Sequence, residues 1–432
     1  MIQNIKRFGV GTLHAHRGVG LAVAGMLAIA GAAVAQPYTA TTLVYNICCG
    51  ASHSDPRLAW AWGVSMPPSG PAWVVNNGSG SSTRYDGSGN PFAFFIHTVR
   101  PDDFTFSSPA GIAFNGTPDF IVPDGAGGSA PAAFLFSTRE GTITGWTPGA
   151  NPPFPFALIA VDNSRHGAPT EASYDGLAIV STAAGSRLYA ADFHNRRVDA
   201  FDGAFGAVAA PFTDPALPAG FAPFNIASLN GAVLVAYAVA DADGFDPVPG
   251  AGRGIVDVFD SSGGLSKRLI TGGALNVPYG MAIAPHNFGA FSDALLVANF
   301  GDGLINAYNA DSGAFLGTIR DSAGVPIFLE GVHGIAFGNG DLGQPTNTLF
   351  YATTPAFGIQ GIYGRIEIAQ SCYANCDQSS AAPVLNANDF QCFLNRFAAG
   401  DPSANCDGST SFPSLNANDF QCFLNAFAAG CS

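Results

Sequence analysis

The side chains with most chemical potential stand beside glycine-centred steps. Asp175 precedes Gly176, His333 precedes Gly334, and Asn225 takes the glycine's place in Phe224-Asn225-Ile226. Asp192, His194 and Asn299 follow shortly after the next apolar run in their own segments. A carboxylate, amides and two imidazoles are donors that a calcium or zinc ion accepts. Asn and Asp at strand ends are also ordinary turn-formers. No Gly-x-Ser-x-Gly elbow, His-Glu-x-x-His pair or phosphate loop accompanies them.

A second concentration lies at the chain end. The eleven residues Leu385 to Asn395 recur unchanged at 415–425, each copy preceded by Asn-Cys-Asp at 375–377 or 405–407. Phe390, Phe393, Leu394 and Phe397 follow i, i+3, i+4, i+7, the apolar face of a helix. Asn388 or Asp389 is expected to cap it. Each copy is therefore an oxygen-rich loop feeding an amphipathic helix. Cys376 and Cys392 have copies at Cys406 and Cys422, while Cys372 and Cys431 have none. Equivalent pairing predicts Cys376–Cys392, Cys406–Cys422 and a closing Cys372–Cys431. Cys48 and Cys49, far upstream, receive no pairing.

The chain has 432 residues, of which only 11% are charged, and a net charge of −14. Such a chain lacks the basic footprint of a nucleic-acid binder. Lys6, Arg7 and Arg17 precede the apolar run Gly18–Val34, and Ala33-Val34-Ala35 is a small-residue cleavage site. This is the pattern of a secretory signal peptide over 1–35, which predicts an extracellular or cell-surface location, disulfide-permissive conditions and no membrane span after cleavage.

Residues 36–370 repeat a unit six times. First strands are expected at Trp62-Gly63-Val64, Ala110-Gly111-Ile112, Asp175-Gly176-Leu177, Phe224-Asn225-Ile226, Tyr279-Gly280-Met281 and His333-Gly334-Ile335. Second, third and fourth β-rich segments follow most of them. Repeats near 50 residues with three or four strands each predict a six-bladed β-propeller. The sixth unit lacks a fourth segment, and the spare strand Thr42–Ile47 is expected to complete it beside Gly361–Ile366, removing an exposed edge.

The segments Ala61-Trp62-Gly63-Val64, Leu188–His194, Ala222–Ile226 and Asn299–Asn306 resemble an uncharacterised bacterial family of secreted, NHL-like six-bladed propellers. That resemblance implies fold and export and brings no established activity. By analogy with NHL-like sheets the glycine-bearing strand lies innermost, which makes Asp175, Asp192, His194, Asn225, Asn299 and His333 channel-mouth candidates.

Residues 371–432 resemble a cysteine-containing dockerin, as in planctomycete secreted proteins. The resemblance implies two EF-hand-like loops, weak calcium binding and docking to a cohesin-like or other surface partner. It implies ligands Asn375, Asp377, Ser379, Asn386 and Asp389 in one loop, and Asn405, Asp407, Ser409, Asn416 and Asp419 in the other. The loops span fifteen residues rather than twelve and begin with Asn, so two carboxylates serve each site. The expectation is a secreted binding or scaffolding propeller anchored through its tail. The alternative is an extracellular metal-dependent hydrolase acting on a lactone, ester or glycan at the channel mouth.

Overall fold

The computed structural model describes residues 37–432 except 48–49, 104, 149–154, 165–170, 210, 356–359, 370–372, 378, 380–382, 410–411 and 431–432. The expected signal peptide, Cys48, Cys49 and the Cys372–Cys431 pairing lie outside the described residues.

The fold is mainly β. Six antiparallel meanders begin with strands Ala61–Ser65, Pro109–Phe114, Tyr174–Thr182, Phe221–Leu229, Pro278–Ile283 and Val332–Phe337. Each of these first strands ends its sheet and pairs on one side only. Each also touches the first strand of the next meander, and the sixth touches the first, so the contacts close a cycle.

The glycine steps explain that closeness. A Cβ on Gly63 would lie 2.7 Å from the Ala110 carbonyl oxygen, on Gly176 2.7 Å from Asn225 Cα, on Gly280 2.2 Å from the His333 oxygen and on Gly334 2.5 Å from Val64 N. Each glycine therefore lets one strand approach the next more closely than any side chain permits.

The residues after these steps diverge. Leu177, Ile226, Met281 and Ile335 enter four different hydrophobic clusters, and Val64 and Ile112 pack against two more. First-strand side chains are thus spent between neighbouring sheets, where each fully buried large apolar group contributes roughly 1.5–3 kcal/mol.

The ring closes as expected. Tyr38–Tyr45 pairs antiparallel with Ile362–Ile368, Tyr38 opposite Ile368 and Tyr45 opposite Ile362, with a one-residue register shift between Thr42 and Val44. Two features depart from the repeat. The outer strands of the first two meanders, Ile96–Thr98 and Phe156–Asp162, pair in parallel and fuse eight strands into one sheet. A small hairpin, Ile121–Pro123 with Ser129–Pro131, interrupts the second meander.

The tail carries two helices, α1 (Ala387–Ala398) and α2 (Ala417–Ala429). Phe393 of α1 stacks on Phe423 of α2, with ring centroids 4.2 Å apart, and Phe390 meets Phe420, Phe423 and Phe427 edge-on. The Cys376–Cys392 and Cys406–Cys422 disulfides are both formed. The N-cap corrects the sequence reading. Asn386 and Asn416, not Asn388 or Asp389, cap the helices, and Asp389 and Asp419 complete capping boxes from the third helical position.

Candidate functional site

The residue before each glycine step points to the ring axis. Trp62, Ala110, Phe224 and Tyr279 share one buried cluster, and His333 stacks on Trp62 at 4.3 Å. Tyr279 also meets Trp62, Phe224 and His333 edge-on, at 5.8, 5.1 and 5.2 Å. Its hydroxyl crosses the axis and donates to the carbonyl oxygens of Asp175 at 2.7 Å and Ala110 at 3.1 Å. Burial, then the Asp175 carboxylate, hold its phenol well above the ordinary value. Side chains from all six first strands thus plug the axis at one end.

Asp175 is fully buried in this plug. Arg139, just after the strand Phe134–Thr138, brings Nε to 3.3 Å from Asp175 Oδ1, an ion-pair contact outside hydrogen-bond geometry. The Arg139 guanidinium also pairs with Asp246 at 2.7 Å, donates to the Phe245 carbonyl and lies 5.6 Å over the Trp62 ring. Burial pushes the Asp175 carboxyl up to about 7, against the pull of Arg139, with Asp246 and Asp192 adding to the rise. Burial opposes the charge on Arg139 as well, yet Asp175 and Asp246 hold its pKa above the ordinary value. Burial pushes the His333 imidazole down to about 3, opposed by the nearby Gly331 carbonyl and reinforced by Arg139. Neither ring nitrogen has a hydrogen-bond partner among the described residues, so His333 is a neutral stacking surface near pH 7.

The candidates separate into two groups. Asp175 and His333 lie in the plug, while Asn225, at the step itself, donates from Nδ2 to the Tyr279 carbonyl at 2.8 Å just below it. His194 joins its rim by stacking on Phe245 at 4.0 Å. Asp192 instead organises its own turn, accepting from Ser173 N and from Asn195 N and Nδ2. Asn299 Nδ2 donates to the Ala274 carbonyl at 2.7 Å and binds a linker down. Among the described residues, no three His, Cys, Asp or Glu side chains converge in a way that would hold a metal ion. Arg139 was not singled out from the sequence. Its signal was weak: a lone arginine at the end of a second strand in a chain poor in charge.

Below the plug the axis opens into a cavity of about 240 Å³, lined by residues of all six first strands, among them Gly63, Gly111, Leu177, Asn225, Ser228, Tyr279 and Gly334.

In the tail the two loops are built alike. Asn375 Nδ2 donates to the Ser379 carbonyl at 2.9 Å, and Asn405 Nδ2 to that of Ser409 at 2.8 Å. Asp389 Oδ1 accepts from Asp377 N and Oδ2 from Asn386 N; Asp419 repeats this with Asp407 N and Asn416 N. Asp377 accepts from Ser379 N, and Asp407 from Ser409 N. Asn375 Oδ1, Ser379 Oγ and Asn405 Oδ1 are buried without a hydrogen-bond partner among the described residues.

No protein-family profile matches the chain. The uncharacterised protein R648 of Acanthamoeba polyphaga mimivirus is 30% identical over 332 residues, 75% of this chain and 78% of the viral protein. Uncharacterised protein L690 of the same virus is 30% identical over 300 residues, 68% of this chain and 77% of its own length. These relatives are viral, whereas the resemblance in the sequence pointed to bacterial proteins. Two solved structures share part of the chain's layout. A catalytically inactive virginiamycin B lyase from Staphylococcus aureus with quinupristin has 12% identity and a TM-score of 0.41, covering 71% of this chain and 80% of that one. A protein of unknown function from Bacteroides thetaiotaomicron has 9% identity and a TM-score of 0.48, covering 76% of each chain. The chain is mainly β and belongs to one family with the uncharacterised mimivirus proteins R648 and L690.

Proposed function

We propose that this is a secreted six-bladed propeller, a binding and scaffolding platform, anchored to a surface or complex through a calcium-binding, dockerin-like tail. Three buried oxygens carry the reading: Asn375 Oδ1, Ser379 Oγ and Asn405 Oδ1 have no hydrogen-bond partner among the described residues. A buried polar atom left unpaired costs about 1–3 kcal/mol, and a hard cation with six to eight oxygen ligands would satisfy these. Asn375, Asp377, Ser379, Asn386 and Asp389 would hold one ion, and Asn405, Asp407, Ser409, Asn416 and Asp419 the other. Bound calcium would supply a fixed charge that draws loop and helix start together. With two carboxylates per loop the affinity falls at about 10⁻⁴–10⁻³ M. Gln391 and Asn395, with Gln421 and Asn425, stand exposed at matched positions on the helices and form a two-fold polar surface for a cohesin-like partner.

The test is calorimetric titration of the full chain with calcium, beside surface retention of the chain with and without residues 371–432. Two weak sites, lost in D377A/D407A, together with tail-dependent retention, are expected. Absence of calcium heat at millimolar concentration removes the calcium reading. Retention unchanged by truncation removes the anchoring.

One observation favours the hydrolase alternative: the Asp175 carboxyl, near 7, sits beside Arg139. Full burial in an aromatic plug counts against it. Turnover of a panel of lactones and esters, abolished in D175N with the fold retained, would restore it.

A further inference from the structure

The cavity below the Tyr279 crossbar is lined by the glycines and aliphatic residues of the first strands, with Phe114 among them. All six first strands end their sheets, so the edge each turns to the axis has no strand partner. The side chains that follow the glycine steps are committed to separate inter-sheet cores. The wall therefore offers N–H donors and C=O acceptors, with the Asn225 amide and the Ser228 hydroxyl, and no Asp, Glu, Lys, Arg or His side chain lines it. Tyr279, held across the axis by its bonds to Asp175 and Ala110, closes one end with an aromatic group. Buried backbone polar groups demand partners, and the wall mixes donors with acceptors and brings no charged side chain to neutralise an ion.

We propose that this blind cup is a binding site for a compact, neutral, polyhydroxylated solute of pyranose size. A hydroxyl both donates and accepts, so a ring of them suits alternating N–H and C=O groups beneath the Tyr279 crossbar. The volume, about 240 Å³, equals roughly eight water molecules at about 30 Å³ each, enough for one such ring. This deepens the reading of the propeller as a binding platform and is independent of the tail.

The test is an amide-resolved NMR titration of the full chain, at fixed calcium, with methyl α-D-glucopyranoside as probe. Saturable shifts are expected at the amides of Gly63, Gly111, Leu177, Gly280 and Gly334, which line the cup. At least tenfold weaker binding is expected in S228W, which places a bulky group at the exposed rim. If S228W fails to fold, intermolecular contacts from the glucoside to those amides in the wild type decide the matter. Absence of shifts there at concentrations on the order of 100 mM, well above millimolar affinity, would mean that the cup holds only water and would overturn the proposal. Shifts confined to other regions, or naphthalene binding in the cup where the glucoside does not, would overturn it too. Each of these failures leaves calcium-dependent anchoring standing, since that is read on the tail.

Discussion

The Tyr279 hydroxyl donates to the Asp175 carbonyl at 2.7 Å, joining the first strands of the fifth and third meanders across the ring axis. The same hydroxyl reaches Ala110 in the second meander. One side chain thus ties three sheets that share no ladder, and it closes the channel in doing so. The aromatic neighbours Trp62, Phe224 and His333 hold its ring in place.

Tyr279→Phe keeps the ring contacts and removes the donor. The Asp175 carbonyl loses its hydrogen bond and Ala110 its share of the same proton, so denaturant unfolding should show a loss of about 1–3 kcal/mol with an unchanged native circular dichroism spectrum. Unaltered stability would mean that the crossbar carries no tension between the sheets.

The inner glycines have a steric reason to be glycine. In Gly334→Ala the new methyl would meet Val64 N at 2.5 Å and the Trp62 carbonyl oxygen at 2.6 Å. Backbone must move, and overpacking of this kind costs about 1–3 kcal/mol. Gly116→Ala, whose Cβ would find only the edge of Phe114 at 3.4 Å, is the control and should melt with the wild type. Equal melting of both variants would contradict the tight inner ring.

The fourth meander contains a carboxylate that works against the fold at high pH. Asp257 is buried opposite Arg268, with 3.7 Å between Oδ1 and Nε, but Arg268 is already bound to Asp214. Burial pushes the Asp257 carboxyl up to about 7, with Asp214 adding to the rise and Arg268 opposing it. The folded state therefore holds this proton more tightly than the unfolded state. Stability should fall as pH rises from the ordinary carboxylate range through about 7. Asp257→Asn removes that slope: its melting temperature should exceed the wild type's at pH 8.5 and show no gain at pH 4. A constant difference at both pH values would refute the assignment.

Ring closure depends on the strand Tyr38–Tyr45. Deleting residues 36–46 strips the partner from Ile362–Ile368 and bares an edge beside the buried Tyr363 and Ile366. A lower melting temperature and concentration-dependent light scattering are expected. A monodisperse truncated chain with wild-type melting would show that the closing strand is dispensable.

The repeat is legible in the sequence because its causes are local. Alternating apolar residues, turn glycines and a near-50-residue period define meanders, and the missing fourth segment near Ile366 called for the spare N-terminal strand. The duplicated tail likewise announced its helices and its two internal disulfides through spacing alone. Other features depend on residues far apart in the chain. That Asp175 would be sealed in an aromatic plug, and paired with Arg139, depends on six strands converging on one axis. No local pattern encodes that meeting, because each of those residues obeys only its own strand's alternation. The parallel pairing of Ile96–Thr98 with Phe156–Asp162 is of the same kind, since two outer edges find each other only once the sheets stand side by side. Asn386 displaced the expected caps because an extended backbone at that position, bound back by Asp389, forms a reciprocal pair that a one-residue reading of the helix start does not reveal. The sequence by itself determined the strands, the turns and the helix faces, which short-range sterics and burial decide. Only the tertiary structure decided which end of the channel is closed, because that depends on one tyrosine reaching across the axis.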